Sequence, residues 1–344
     1  MARQLQLRPA TRPAIGRAVR LVRRICQIAG ARDLIDDSRS RLTQNGIIAA
    51  VRRHDTALIF DWLLDAVSYQ GVSDSIAHGY MNRHGRVRWQ DVAAALANGP
   101  SCPKLRCYWT FEACGYRKAS AQCANAEHRP MCPLPAHDLR NGRLNQTAYS
   151  LFLFMRDVAG GDIVGWIDVR LATVGDTPAS NRTSRLRRAL LEPLGHVYGV
   201  SNKVLAMALS ELLLAGDTER PKWLEAATVL IAVDTLVHNF LHRTGILHDW
   251  HADHLYGAGC YARRGCANII ERIAGNIDAR RFNPAFPANF PRFVQHAIWR
   301  LCAEAGLGRC NGRRIDDRAA CEQTDCPVFG RCSRFPLRMA SPAL

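Results

Sequence analysis

Apolar residues recur three and four positions apart through most of the chain, the spacing that lines one face of a helix. The pattern predicts helices at 44–53, 57–69, 73–83, 89–97, 146–158, 184–194, 202–215, 222–231, 235–243, 267–278 and 291–303. No run alternates apolar and polar residues as a half-buried strand requires, so the fold class is all-α. Two segments break the rhythm. Ser101 to Asp138 holds five cysteines and four prolines and reads as an insertion stapled by a bound ligand. Arg280 to Pro291, with its proline-spaced aromatics, reads as a surface strap. The longest apolar stretches, Val204 to Ala215 and Ala226 to Val233, fall short of the roughly 18 to 20 residues that span a bilayer. A soluble chain with no membrane partner is expected.

Composition narrows the partner. The chain has 344 residues, 48% hydrophobic and 22% charged, the balance of a globular protein rather than a disordered or fibrous one. Lys and Arg number 46 against 30 Asp and Glu, a net charge of +16. Such a field draws polyanions, nucleic acid first and an anionic membrane surface behind it. The Arg-rich, acid-free start MARQLQLRPATRPAIGRAVRLVRRICQIAG lacks the apolar core and cleavage site of a leader and reads as a basic arm. With no secretory signal, the 13 cysteines point to metal-binding thiols in a reducing compartment, the cytoplasm, near the nucleoid in a bacterium.

At 194–209 the sequence LGHVYGVSNKVLAMAL places a polar, glycine-containing turn between two helical patterns. Gly199 supplies a backbone conformation that bulkier residues avoid, and the next helix begins with N–H groups that lack partners. Backbone donors at Gly199, Val200, Ser201, Asn202 and Lys203, the positive helix end and the Lys203 amine together suit a phosphate. A plain helix–turn–helix connection with a solvated lysine is the other reading. Downstream, an apolar run leads directly into Asp234 in ATVLIAVDTLVHNFLHRTG, where a carboxylate can accept hydrogen bonds from the first turn of a helix. Read alone, Asp234 is a helix cap. Nearer the N-terminus, SYQGVSDS brings Ser68, Gln70, Ser73 and Asp74 to the end of a helical pattern.

The cysteines fall into groups. Cys310, Cys321, Cys326 and Cys332 lie within 23 residues, with Cys302 on the preceding helix as an alternate ligand. Four thiols so close suit a [4Fe–4S] cluster, with zinc or unligated thiols as alternatives. In the inserted segment Cys114, Cys123, His128 and Cys132 offer three sulfurs and one nitrogen to a tetrahedral zinc ion. The interleaved Tyr108, Trp109, Phe111, Tyr116, Arg117 and Lys118 suit base stacking and phosphate contacts or, equally, a small stapled core. Cys260 and Cys266 form a thin pair that reads as buried small hydrophobes or surface thiols.

These elements, in this order, resemble the helix-hairpin-helix DNA glycosylase superfamily, its endonuclease III-like branch. VYGVSNKV is similar to the family's hairpin, and AVDTLVHNFLHRTG to its Val-Asp-Thr segment through Val233, Asp234, Thr235, Arg243 and Thr244. The Ser68 to Asp74 stretch is similar to the family's early Ser-Ala-Gln-Ala-Thr-Asp segment, and the C-terminal thiols to its cluster loop, whose last interval matches. Ser201 stands where the family has a glycine, Leu236 where it has a histidine and Asn239 where it has an arginine, and the stretch near GDTERPKWLEA is lengthened. The likeness spans 57–97, 184–244 and 267–332. It implies a two-lobed all-α fold, in which 41–100 and 139–232 form a six-helix lobe and 233–335 a cluster lobe with its Cys loop at 310–332. Residues 1–40 are then the arm and 101–138 an insertion. It further implies a monomer that acts on double-stranded DNA. Gln70 would fill the gap left by a flipped nucleotide, Lys203 would attack the sugar as the base leaves, and Asp234 would stabilise the charge that develops there. The expected activity is base excision with an AP lyase step; a monofunctional glycosylase, or a metal-stapled nucleic-acid binder without catalysis, is the alternative.

Overall fold

The computed structural model describes residues 11–68, 74–97, 102–140, 142, 144–175, 179–216 and 219–338. The chain is mostly helical. Among these residues, strand is limited to Tyr116–Arg117 paired antiparallel with Gln122–Cys123, Tyr116 opposite Cys123. None of the described helices is long and apolar enough to cross a membrane. Contacts divide the chain into two compact units, Ile35–Ala227 and Met1–Leu34 with Thr228–Leu344.

The unit Ile35–Ala227 is built around the helix Asn145–Leu153, every residue of which is buried. Its apolar side meets the helices Thr56–Ser68 and Trp89–Leu96, where Phe152 packs edge-on to Phe60 at 6.2 Å between ring centres and tilted against Trp89 at 4.2 Å. Most of its buried polar side-chain atoms have partners, as burial demands, while Asn145 Oδ1 and Gln146 Oε1 have none. Asn145 Nδ2 donates to the carbonyls of Leu134 (2.7 Å) and His137 (2.8 Å), and the Tyr149 hydroxyl meets His137 Nε2 at 2.9 Å. One helix thus anchors the unit's core and holds its least regular segments. The helix Ile163–Ala172 has no counterpart in the hydrophobic pattern, because β-branched Ile163, Val164, Ile167 and Val169 around Gly165 carry weak helical propensity.

The second unit corrects two expectations. The N-terminal stretch is no arm: Arg12–Ala29 is a helix that buries Leu21, Val22, Ile25 and Cys26 and packs on the helices Pro291–Cys302 and Cys266–Ala274. Six arginines crowd the stretch 12–32, and they mask an apolar stripe at helical spacing. At the end of this helix Gly30 permits close approach, since a Cβ there would lie 2.8 Å from Phe293 Cζ. The proline-spaced aromatics are no surface strap either. Phe286, Phe290 and Phe293 are almost fully buried and form a cluster with centroids 5.2 to 6.0 Å apart. Prolines break the helix there, but the rings between them still seek the core.

Candidate functional site

The hairpin is positioned from below by the central helix of its unit. Thr147 Oγ1 donates to the Tyr198 carbonyl at 2.9 Å, and the Tyr198 N–H donates to Ser150 Oγ at 3.0 Å. Gly199 follows at φ +76, in the left-handed region, and a Cβ there would stand 3.0 Å from Thr147 Oγ1. Both facts require glycine. Ser201, at φ −84, takes the N-cap position of the helix Asn202–Leu213, a conformation any residue adopts. Its side chain caps no N–H, which leaves the donors of the first turn for solvent or an anion. Gly199, Ser201 and Asn202 are exposed, Val200 and Lys203 half-buried. Gln70 and Ser73 lie outside the described residues; Ser68 ends its helix buried, its hydroxyl without a partner.

Asp234 belongs to the other unit. The buried, extended run Leu230–Val233 delivers it to the N-cap of the helix Thr235–Arg243, where Oδ1 accepts the Val237 N–H at 2.9 Å. The preceding Val233 N–H donates to the Tyr261 hydroxyl at 2.9 Å. The carboxylate is half-buried and faces Tyr256, whose hydroxyl is held above its usual range by burial first and by Asp234 second.

One turn after the cap, the structure brings together a group that sequence reasoning missed. His238, His254, Cys260 and Cys266 place their four ligand atoms within 4.8 Å of one another, with all but His254 buried. His238 Nδ1 is 3.4 Å from Cys266 Sγ and 3.5 Å from Cys260 Sγ, and His254 Nε2 is 3.4 Å from Cys266 Sγ. A hydrogen bond from Cys266, with help from both histidines, holds the Cys260 thiol far below its usual range, while Cys266 is pushed up. This group can hold a metal ion. The pair Cys260 and Cys266 is buried, as small hydrophobes would be, but its surroundings are ligands rather than core. The signal was available in part: His238 interrupts the buried face formed by Val237 and Leu241 on an amphipathic helix.

The C-terminal thiols converge as well. Cys310, Cys321, Cys326 and Cys332 line one pocket whose other walls include Phe240, Leu301, Ile315, Val328 and Phe329. The backbone N–H groups of Val328 and Arg334 point at the sulfurs of Cys326 and Cys332, each two residues back. Cys302 lies deeper. It is fully buried and hydrogen-bonded to Cys310, which draws the Cys310 thiol down and its own up. Arg243, 2% exposed and paired with Asp317 at 2.7 Å, also lines the pocket and favours a thiolate at Cys310. Four sulfurs, N–H donors directed at two of them and one buried cation form a donor set suited to an anionic metal–sulfur centre.

In the inserted segment His128 Nδ1 meets Asn125 Nδ2 at 3.4 Å, and Cys102 lies close enough for its charge to act on both Cys114 and Cys132. The short hairpin sets Cys123 beside Gly115, with its sulfur 3.4 Å from where a Cβ would be. The fully buried Gln146, on the central helix, hydrogen-bonds to Cys114. Burial pushes Cys114 up and Cys132 up to about 11.

A basic groove completes the inventory, lined by Arg20, Arg23, Arg24 and Gln27 from the N-terminal helix and by Pro327, Val328, Gly330 and Arg331 from the Cys loop. In comparisons with known proteins the chain matches no family model, no curated protein and no solved structure.

Proposed function

We propose that the protein is a DNA base-excision glycosylase with an AP lyase step, in which Lys203 is the nucleophile and Asp234 the carboxylate that supports departure of the base. The observation that carries this reading is the hairpin. A left-handed glycine and an uncapped helix start present free N–H groups to solvent, with Lys203 at the second position of that helix. Such a turn suits a DNA phosphate, and an amine next to it is held at the sugar. Its resemblance to the family's lysine-bearing hairpin supplies the reaction.

In that reaction the Lys203 amine adds to the sugar C1′ while the C1′–N bond to the base breaks and the base leaves with the bonding pair. The Asp234 carboxylate offsets the positive charge that builds on the sugar. Loss of the ring oxygen from C1′ gives the imine, and removal of a C2′ proton then expels the 3′ phosphate. The basic groove of Arg20, Arg23, Arg24 and Arg331 would take a stretch of backbone without reading sequence. Cys310, Cys321, Cys326 and Cys332 would hold a [4Fe–4S] cluster that keeps the Cys loop, and with it Arg331, in place. The division of the chain agrees with this reading, since the hairpin and the C-terminal thiols fall in different compact units, as the family resemblance implies.

The test is borohydride trapping on a panel of duplexes that each carry one lesion: an oxidised pyrimidine, uracil, a mismatched thymine or a modified cytosine. A covalent protein–DNA adduct with one of them is expected. Base release without an adduct would make the enzyme monofunctional. DNA binding with neither would leave a metal-stapled binding protein and sink the enzymatic reading.

A further inference from the structure

We propose that His238, His254, Cys260 and Cys266 bind one zinc ion, and that this ion fixes the helix that carries Asp234. The site is proposed on its own geometry; only its service to Asp234 rests on the functional reading above. Zinc bonds of about 2.3 Å to sulfur and about 2.0–2.1 Å to nitrogen set the sulfur–nitrogen edges of a tetrahedron at about 3.5 Å. Three of the four sulfur–nitrogen edges here measure 3.4, 3.5 and 3.4 Å. Two thiols and two imidazoles are a complete structural zinc set with no position left for substrate. The outer contacts agree: His254 Nδ1 lies 2.6 Å from the Ala252 carbonyl, which fixes the N–H on Nδ1 and turns Nε2 toward the sulfurs.

The four ligands come from different elements. His238 is on the helix Thr235–Arg243, His254 in a loop, Cys260 in the short helix Ala258–Tyr261 and Cys266 at the start of the helix Cys266–Ala274. The loop can fold this tightly because two glycines admit close approach. A Cβ at Gly265 would stand 2.1 Å from the Gly259 carbonyl, and one at Gly259 would stand 2.9 Å from His254. An ion here ties the first turn of the Asp234 helix to the loop that supplies Tyr256 and Tyr261, the residues that flank Asp234 and Val233. His238 is therefore a positioning residue.

The full-length protein, purified without added metal, should carry about one zinc per chain. After exchange with cobalt it should show the intense visible bands of tetrahedral cobalt with thiolate charge transfer. His254→Cys keeps four ligands and should retain the metal with an altered cobalt spectrum, whereas His238→Ala and Cys266→Ser should lose it. Chelation of the zinc should lower kcat for base release and leave KM nearly unchanged, and zinc should restore it. Wild-type protein with neither zinc nor a tetrahedral cobalt spectrum overturns the site, whatever its activity. Zinc present with kcat indifferent to its removal overturns the positioning role alone.

Discussion

Lys203→Gln keeps side-chain length and polarity but has no nucleophilic amine. It should abolish the borohydride-trapped adduct and strand nicking while the Kd for duplex DNA stays within about threefold, because the backbone donors of the turn remain. Persistent trapping would move the nucleophile to another amine. Asp234→Asn retains an oxygen to accept the Val237 N–H, so the helix start and the metal content should persist. It loses the negative charge, and base release should slow by about 100- to 1,000-fold. Unfolding instead of slow chemistry, read by circular dichroism, would make Asp234 a cap and nothing more. The sequence alone placed both residues correctly at helix starts, since a glycine turn and a carboxylate before an apolar helix are local signals. The group that joins His238 and His254 to Cys260 and Cys266 was legible only at His238, which interrupts a buried helix face, because a metal site made by four elements has no fixed spacing.

At the scale of elements, periodicity located most helices, and it failed where another signal overrode it. Arginines hid the apolar face of Arg12–Ala29, β-branched residues hid Ile163–Ala172, and prolines hid the buried role of Phe286 and Phe290. The first of these has a measurable consequence. Leu21 is 0% exposed on the N-terminal helix, so Leu21→Ala should destabilise its unit by about 2–5 kcal/mol in denaturant unfolding. An arm on the surface would change stability by less than about 0.5 kcal/mol. The hairpin offers a second measurement. Thr147→Val removes the hydroxyl that holds the Tyr198 carbonyl, and loss of one buried hydrogen bond costs about 1 kcal/mol. Because that bond fixes the turn rather than the core, Kd for duplex DNA should rise by several-fold with the iron and zinc content unchanged. A stability loss with no change in Kd would detach the turn from binding.

For the whole molecule the relevant quantity is charge. A net charge of +16 is spread over the surface, yet only the part that meets phosphates releases counterions on binding. The logarithm of the binding constant should therefore fall linearly with the logarithm of salt concentration, with a slope of about −0.9 per phosphate neutralised. Arg20 and Arg24 line the groove shared by the N-terminal helix and the Cys loop. The double variant Arg20→Gln, Arg24→Gln should reduce the magnitude of the slope by about 1 to 2 and weaken all duplexes alike, lesion or none, because phosphate contacts carry no sequence information. At saturating DNA the yield of trapped adduct should match wild type, since neither arginine approaches the chemistry in the proposed mechanism. Arg280→Gln is the control that removes one charge outside the groove: its side chain already pairs with Asp278 through two hydrogen bonds, of 2.9 and 2.8 Å, and its slope should match wild type. An unchanged slope in the double variant would exclude the groove from the DNA path. A loss in the control equal per charge to that of the double variant would mean that the charge acts only as a diffuse field, in which case the groove has no special part in holding the duplex.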